Sequence, residues 1–338
     1  MAVRMKDVAD LAGVSARTVS NVVNGFEHVS PTTRERVERA LDELGYEMNA
    51  AARSLKSGRT GMVALVVSEL HAPYFAELAD AVVRAAGRRN LTVLVEVTEG
   101  TRARELKVLQ GGRNHLADGA LLSPVALMAE EDLRPRRDFP LVLLGESRLG
   151  TVFDHVGIDN AAATRTAVEH LIDIGRTNIA GLGSNQTLPA AVVRKEAFLD
   201  TLRRARLRPH SVVETADWER QTGASAVDAL LAAASGAGLP DAIFAFNDTL
   251  AIGALRALSH HGIRVPSEVA VVGIDNIDEA AYTTPSLTSI APDLEVLADN
   301  ALGLLEDQIT RRRKGGRPVP PRQQWTPFRL VVRESTLG

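Results

Sequence analysis

Residues 5–24 read MKDVADLAGVSARTVSNVVN. They hold two short apolar stripes separated by a glycine. In the first, Val8, Ala9 and Ala12 fall on one helical face. Gly13 follows, where the chain must turn sharply and a positive φ carries no steric penalty for glycine. Ser15 then stands where a helix N-cap belongs, its hydroxyl placed to accept from a free helix N–H. In the second stripe Val19, Val22 and Val23 repeat at i, i+3, i+4. The outer face carries Ala16, Arg17, Thr18, Ser20, Asn21 and Asn24. Short polar groups with one arginine suit a groove lined by base edges and phosphates. Helix, tight turn, helix is the plan whose second helix enters the major groove of DNA. A plain helical hairpin would use the same stripes, and the pattern alone leaves both readings open.

Ser30-Pro31 predicts the start of a third helix, with serine at the N-cap and proline where its missing N–H costs nothing. Val37, Ala40, Leu41 and Leu44 give its stripe and Gly45 its end. Three such helices close a small core, marginal alone. The run DVADLAGVSARTVSNVVNG, followed by HVSPTTRERVERALDELGY, closely resembles the DNA-binding headpiece of the lactose-repressor (LacI) family of bacterial transcription regulators. The resemblance implies a helix-turn-helix headpiece over 1–48 and a hinge helix over 49–59. In the family two hinge helices pair and enter the minor groove. Leu55 matches the residue that wedges into the base stack, trading unstacking for a bent duplex, and Ala52 packs beside it. Met48 stands where the family usually has proline.

The chain has 338 residues, enough for about two domains. No run of about twenty apolar residues offers a membrane span. The N-terminus carries no charged-then-apolar leader, which predicts cytoplasmic residence. There is no cysteine, so disulfides, thiolate nucleophiles and cysteine-ligated metals are excluded. The net charge is −3, and residues 1–60 hold nine Lys/Arg against eight Asp/Glu. DNA binding must therefore rest on where the basic groups lie rather than on bulk charge.

After Thr60 the rhythm becomes strand–helix alternation. Apolar, β-rich runs at 62–68, 91–97, 119–123 and 140–144 predict strands, with helices over 74–89 and 102–114. A second round places helices at 161–174, 190–205, 224–234 and 249–261, and strands at 179–183, 242–245 and 269–273. A late helix over 294–312 and a strand over 328–332 close the chain. Such alternation argues parallel sheets covered by helices on both faces, here in two doubly wound subdomains. The same plan belongs to the family's effector-binding and dimerisation domain, which resembles periplasmic binding proteins and would span 60–338. The resemblance implies three crossings between subdomains, near 160, 290 and 323. That gives an N-subdomain of about 60–160 and 291–322, and a C-subdomain of about 161–290 and 323–338. The basic run 311–316 reads as a solvated loop.

Arg17 and Asn21 lie four apart and share a helical face. Arginine can pair bidentately with guanine, or it can contact phosphate; the resemblance favours base readout. Ala16 could touch a thymine methyl, while Ser15, Thr18, Ser20 and Asn24 suit phosphate positioning. Farther on, the resemblance marks effector-contacting positions. His71, Tyr74 and Phe75 follow the first strand in a loop whose aromatic residues flank the ligand. Arg194 opens an element matching the family's Arg-x-x-Gly-aromatic pattern. Trp218 holds a stacking position, and Asn247 and Asp275 sit at strand ends, where ligands belong in open α/β sheets. Without the resemblance, Tyr74, Phe75 and Trp218 would read as packing residues. Asp248 is expected to cap the following helix.

Enzyme signatures are missing. Gly181-Leu182-Gly183 lacks the third glycine of a dinucleotide fingerprint. No Walker loop, HExxH or GxSxG occurs, and the eight histidines show no metal spacing. No metal or cofactor is expected. The reading is a homodimeric, ligand-responsive repressor on a pseudo-palindromic operator, governing carbohydrate genes and released by a sugar-type effector. The alternative keeps the fold but takes a purine-like corepressor.

Overall fold

The computed structural model describes residues 3–23, 26, 28–46, 59–110, 116–127, 139–146, 152–233, 238–316 and 319–337. The chain divides into two units, Met1–Thr60 and Gly61–Gly338. In the first, α1 (Met5–Ala12), α2 (Ala16–Val23) and α3 (Pro31–Leu44) surround Val8, Ala9, Ala12, Val19, Val22, Val37 and Ala40. Gly13 adopts the left-handed conformation, φ 62°, and its N–H closes the end of α1. Ser15 Oγ accepts from Thr18 N at 3.1 Å, so the hydroxyl caps α2. Ser30 caps α3 through Thr33 N at 3.3 Å, with Pro31 in the first turn.

The second unit contains two six-stranded sheets. Its first half runs β1 (Met62–Val67), α4 (Pro73–Gly87), β2 (Thr92–Val97), α5 (Arg102–Leu109), β3 (Gly119–Leu122), β4 (Leu141–Leu144) and β5 (Asp154–Gly157). Its second half runs α6 (Asn160–Asp173), β6 (Ile179–Ser184), α7 (Pro189–Arg204), β7 (Ser211–Glu214), α8 (Arg220–Ala233), β8 (Ala242–Ala245), α9 (Asp248–His260), β9 (Ala270–Ile274) and β10 (Thr288–Pro292). The chain then returns through α10 (Leu294–Arg313), β11 (Gln323–Trp325) and β12 (Phe328–Val331). Strand order is β11-β5-β4-β3-β1-β2 in one sheet and β12-β10-β9-β8-β6-β7 in the other. All pairings are parallel except β10 with β12. The central strands are apolar along their whole length, as sheets covered on both faces require. Leu297, Ala301, Leu302 and Leu305 of α10 return to bury themselves in the first core.

The expected third crossing, near 323, is corrected. Gln323–Trp325 pairs in parallel with β5, whereas Phe328–Val331 pairs antiparallel with β10. The chain therefore changes sheets at Thr326-Pro327, where Thr326 N donates to Gly157 O and Asp293 N to Pro327 O. The loop expected over 311–316 is also corrected, since Arg311–Arg313 form the last turn of α10. Cationic side chains there complement the helix dipole, and Arg311 pairs with Asp307. Strands β5, β7, β10 and β11 were not expected. Asn24, Ala52, Leu55 and nearly all of the expected hinge over 49–59 lie outside the described residues. Among the described residues no helix is long and apolar enough to cross a membrane.

Candidate functional site

On α2, Val19 and Val22 are buried, while Ser15, Ala16 and Arg17 are exposed and Thr18, Ser20 and Asn21 are half-buried. The Ser15 and Thr18 hydroxyls also bond each other at 2.9 Å, which fixes both at the start of the helix. Arg17 thus stands free of the core on the first turn of the second helix.

A cavity of about 480 Å³ opens between the two sheets. Its walls are the segments that follow strand C-termini: Ser68-Glu69 after β1, Ser123-Pro124 after β3 and Glu146 after β4. From the other side come Asp217-Trp218 after β7, Asn247 after β8 and Asp275 after β9. Parallel strands leave their carboxyl ends as a crevice, and here two such crevices face each other.

Arg194 projects from α7 and is only 5% exposed. Its Nε donates to Asn160 Oδ1 at 2.8 Å and its Nη1 donates to the Phe246 carbonyl. Its guanidinium lies 5.2 Å from the centre of the Trp218 ring, within cation–π range. Its Nη2 stands 3.8 Å from Asp275 Oδ1, attractive in charge but too long for a hydrogen bond. Trp218 is oriented by Nε1–H donating to Gly183 O at 2.9 Å.

Asp275 has φ 114° and Asn276 φ 50°. Non-glycine residues hold such conformations only where their surroundings over-determine them. Here Asp275 N donates to Ile290 O at 2.9 Å, Asn276 N to Ser289 Oγ at 3.0 Å, and Ile277 N to Asp248 Oδ2 at 3.1 Å. Ser289 Oγ in turn donates to Asp248 Oδ1 at 2.7 Å. A Cβ on Gly273 would lie 2.1 Å from that same Asp248 oxygen, so only glycine fits beneath the turn. Burial raises the Asp275 carboxyl to about 7, with Arg194 pulling it down and Glu77 adding to the rise. Burial also raises Asp248, and the neighbouring Asp275 charge adds to it. The Tyr74 hydroxyl is raised by burial and by Asp275.

Of the residues marked in the sequence, Tyr74, Phe75, Arg194, Trp218, Asn247 and Asp275 all line this cavity. Tyr74 packs on the apolar cores of both halves and meets Phe75 edge to face at 5.4 Å. Three placements differ from expectation. His71 is not in the lining; it is 68% exposed at the rim, its Nε2 3.2 Å from Glu219 Oε1. Asn247, not Asp248, caps α9, its Oδ1 accepting from Leu250 N at 3.0 Å. Asp248 occupies the first helical position and is turned inward instead. Reasoning on the sequence missed Asn160 and Glu146. Asn160 Nδ2 donates to Glu146 Oε2 at 3.0 Å, which joins the first half to Arg194. Glu146 lies two residues past the end of β4, and the rule that strand ends carry ligand groups could have marked it.

Residues 4–49 match the bacterial regulatory proteins, lacI family, and residues 168–336 match a periplasmic binding protein-like domain. The HTH-type transcriptional repressor PurR of Vibrio vulnificus is 32% identical over 308 residues, covering 90% of this chain and 91% of that protein. The chain belongs to the lacI family of bacterial regulators. Two solved structures of this family align along nearly its whole length. A lac repressor dimer bound to operator and the anti-inducer ONPF gives a TM-score of 0.84 at 26% identity, covering 100% of both chains. A transcriptional regulator CelR–cellobiose complex gives 0.71 at 32% identity, covering 98% of this chain and 99% of the other. This lacI-family member is thus a helix-turn-helix, DNA-binding repressor with a periplasmic-binding-protein-like domain. Its relatives are transcriptional regulators rather than enzymes.

Proposed function

We propose that this regulator represses carbohydrate genes as a homodimer on a pseudo-palindromic operator and is released when a sugar occupies the cleft. The observation that carries the ligand class is the balance of groups around the cavity. Among the described residues Glu69, Glu99, Glu146, Asp217, Glu219 and Asp275 line it, against the guanidinium of Arg194. Ionised carboxylates accept hydrogen bonds and donate none. A neutral, hydroxyl-rich ligand brings the matching donors, and charge-assisted bonds of this kind are about twice as strong as neutral ones. An anionic ligand would meet repulsion instead. Trp218, held beside Arg194, offers a flat face for a sugar ring. The likeness to a regulator solved with cellobiose supports the same class.

Arg17, with Asn21 on the same face, is assigned to base readout. Ser15, Thr18 and Ser20 are assigned to positioning on phosphates, with Ala16 against a thymine methyl. Asn24, Ala52 and Leu55 keep the DNA roles that the family resemblance implies. A purine-like corepressor is the second reading, favoured by the relatedness to PurR. Calorimetry of the purified chain against cellobiose, other mono- and disaccharides and nucleobases tests the choice. Binding of a sugar is expected; binding of a nucleobase with no sugar response would establish the second reading. Operator affinity should fall by about 10³–10⁵ between 50 and 200 mM salt if the dimer makes roughly 6–10 phosphate contacts.

A further inference from the structure

His71 stands outside the cavity, yet it is not idle. Its Nε2 lies 3.2 Å from Glu219 Oε1 and 3.3 Å from Glu69 Oε2. Glu69 and His71 sit in the loop after β1; Glu219 immediately precedes α8 on the opposite wall. The three side chains therefore meet across the mouth of the cleft, with their ligand-type atoms all within 4.8 Å of one another. One imidazole nitrogen has either one proton or one lone pair, so it cannot satisfy two carboxylates at once. Both carboxylates nonetheless converge on it, and Asp217, two residues before Glu219, adds more negative charge to the same rim.

We propose that Glu69, His71 and Glu219 form a binding site for a divalent transition-metal ion that clasps the two halves of the cleft. The donor set is one imidazole nitrogen and two carboxylate oxygens, which suits zinc-like ions. Metal–ligand bonds of about 2.0–2.1 Å set neighbouring donors of a tetrahedral shell about 3.3–3.4 Å apart. The two His71 separations match that edge. Two carboxylates also neutralise a divalent charge, and three protein ligands leave a fourth position for water or a ligand hydroxyl. Nothing in the sequence points to this site, because Glu219 lies far along the chain from the other two.

Since the ligands come from both walls, the ion binds the closed cleft better than any open form. By linkage, an effector that closes the cleft strengthens metal binding, and metal strengthens effector binding by the same factor. That coupling rests on the cleft being the effector site; metal binding itself does not.

The test is a zinc titration of the full chain at pH 7.5, without sugar or DNA, by competition with a chromogenic chelator. One zinc per chain is expected, with affinity falling at least tenfold in His71→Ala and in Glu219→Gln. Both residues are substantially exposed, so neither change should disturb folding, and an unchanged thermal midpoint without metal checks this. Zinc should raise the wild-type midpoint and leave that of His71→Ala unmoved. Equal zinc affinity in wild type and His71→Ala, or no stoichiometric binding by wild type, overturns the site. A sugar screen that fails while the zinc difference persists would remove the effector reading and leave the metal site standing.

Discussion

In the headpiece, the residues that fold α2 and the residues it presents are interleaved in one short segment. Val19 and Val22 are buried, Arg17 points out, and Ser15 starts the helix, all within eight positions. In the cleft, Tyr74, Asn160, Arg194, Trp218 and Asp275 come from separate segments of the two halves and meet only once both sheets have formed. The first is a surface attached to a small core, where side chains can be exchanged with little effect on the fold. The second is a buried polar network in which each group is held by another, so its chemistry and its stability are the same quantity. A buried, paired group is costly to orphan, whereas an exposed one is not.

The sharpest way to break this contrast is Arg194→Ala. It leaves Asn160 Oδ1 and the Phe246 carbonyl without their donor and Asp275 without its neighbouring positive charge. Removing one partner from a buried charge pair costs about 3–5 kcal/mol. Urea denaturation should register a loss of that size, and calorimetry should register a loss of sugar binding. A loss below about 1 kcal/mol would mean that the cleft network is no more coupled than the headpiece surface.

The next effect is in pH. Burial lifts the Asp275 carboxyl from an ordinary value of 3.8 to about 7. The native chain thus retains a proton that the unfolded chain releases from about pH 4 upward. The linked stability is fully present below about pH 4 and is lost as pH rises through about 7. Asp275→Asn removes the titration. The wild-type thermal midpoint, measured relative to that variant, should decline from pH 4 to 7 and level off above. Parallel profiles would show that Asp275 is ionised throughout. Arg17, by contrast, should leave thermal stability alone. Arg17→Ala should cost about 1–3 kcal/mol on the cognate operator and relax preference at one base pair per half-site. Uniform weakening across all single-base operator variants would make Arg17 a phosphate contact instead.

The same contrast governs what could be read from the chain itself. The three headpiece helices and the apolar strands β1, β3, β4 and β8 follow local periodicity, because their burial is a property of consecutive residues. Strand β5 escaped because it reads Asp-His-Val-Gly. Its Asp154 is tolerable in a core only through Arg322 at 2.7 Å and Gln308 at 3.0 Å, both remote in sequence. Strands β10 and β11, with Thr, Ser, Pro and Gln, hide for the same reason. In the cleft, Trp218, Asn247 and Asp275 were legible because they end strands or open helices in a recognisable pattern. The Asn160–Glu146 link was not, since a hydrogen bond between two helix or loop starts leaves no local trace. The capping role passed from Asp248 to Asn247 because both Asp248 oxygens are taken elsewhere, one by Ile277 N in the turn after β9 and the other by Ser289 Oγ of β10.

The proposed control of operator affinity by the cleft around Asp275 requires that sugar binding and operator binding be coupled. Fluorescence anisotropy on a labelled operator duplex, titrated with the full chain while the calorimetrically selected sugar is raised, tests it most directly. Wild type should release the duplex as sugar is added, because a ligand shifts such an equilibrium by its differential affinity for the two states. At pH 8, above the Asp275 value of about 7, the carboxylate only accepts, and Asp275→Asn places an N–H₂ donor there instead. It should bind the duplex as tightly as wild type and hold it at sugar concentrations that empty the wild-type protein. Release of Asp275→Asn at the same sugar concentration as wild type would contradict the claim.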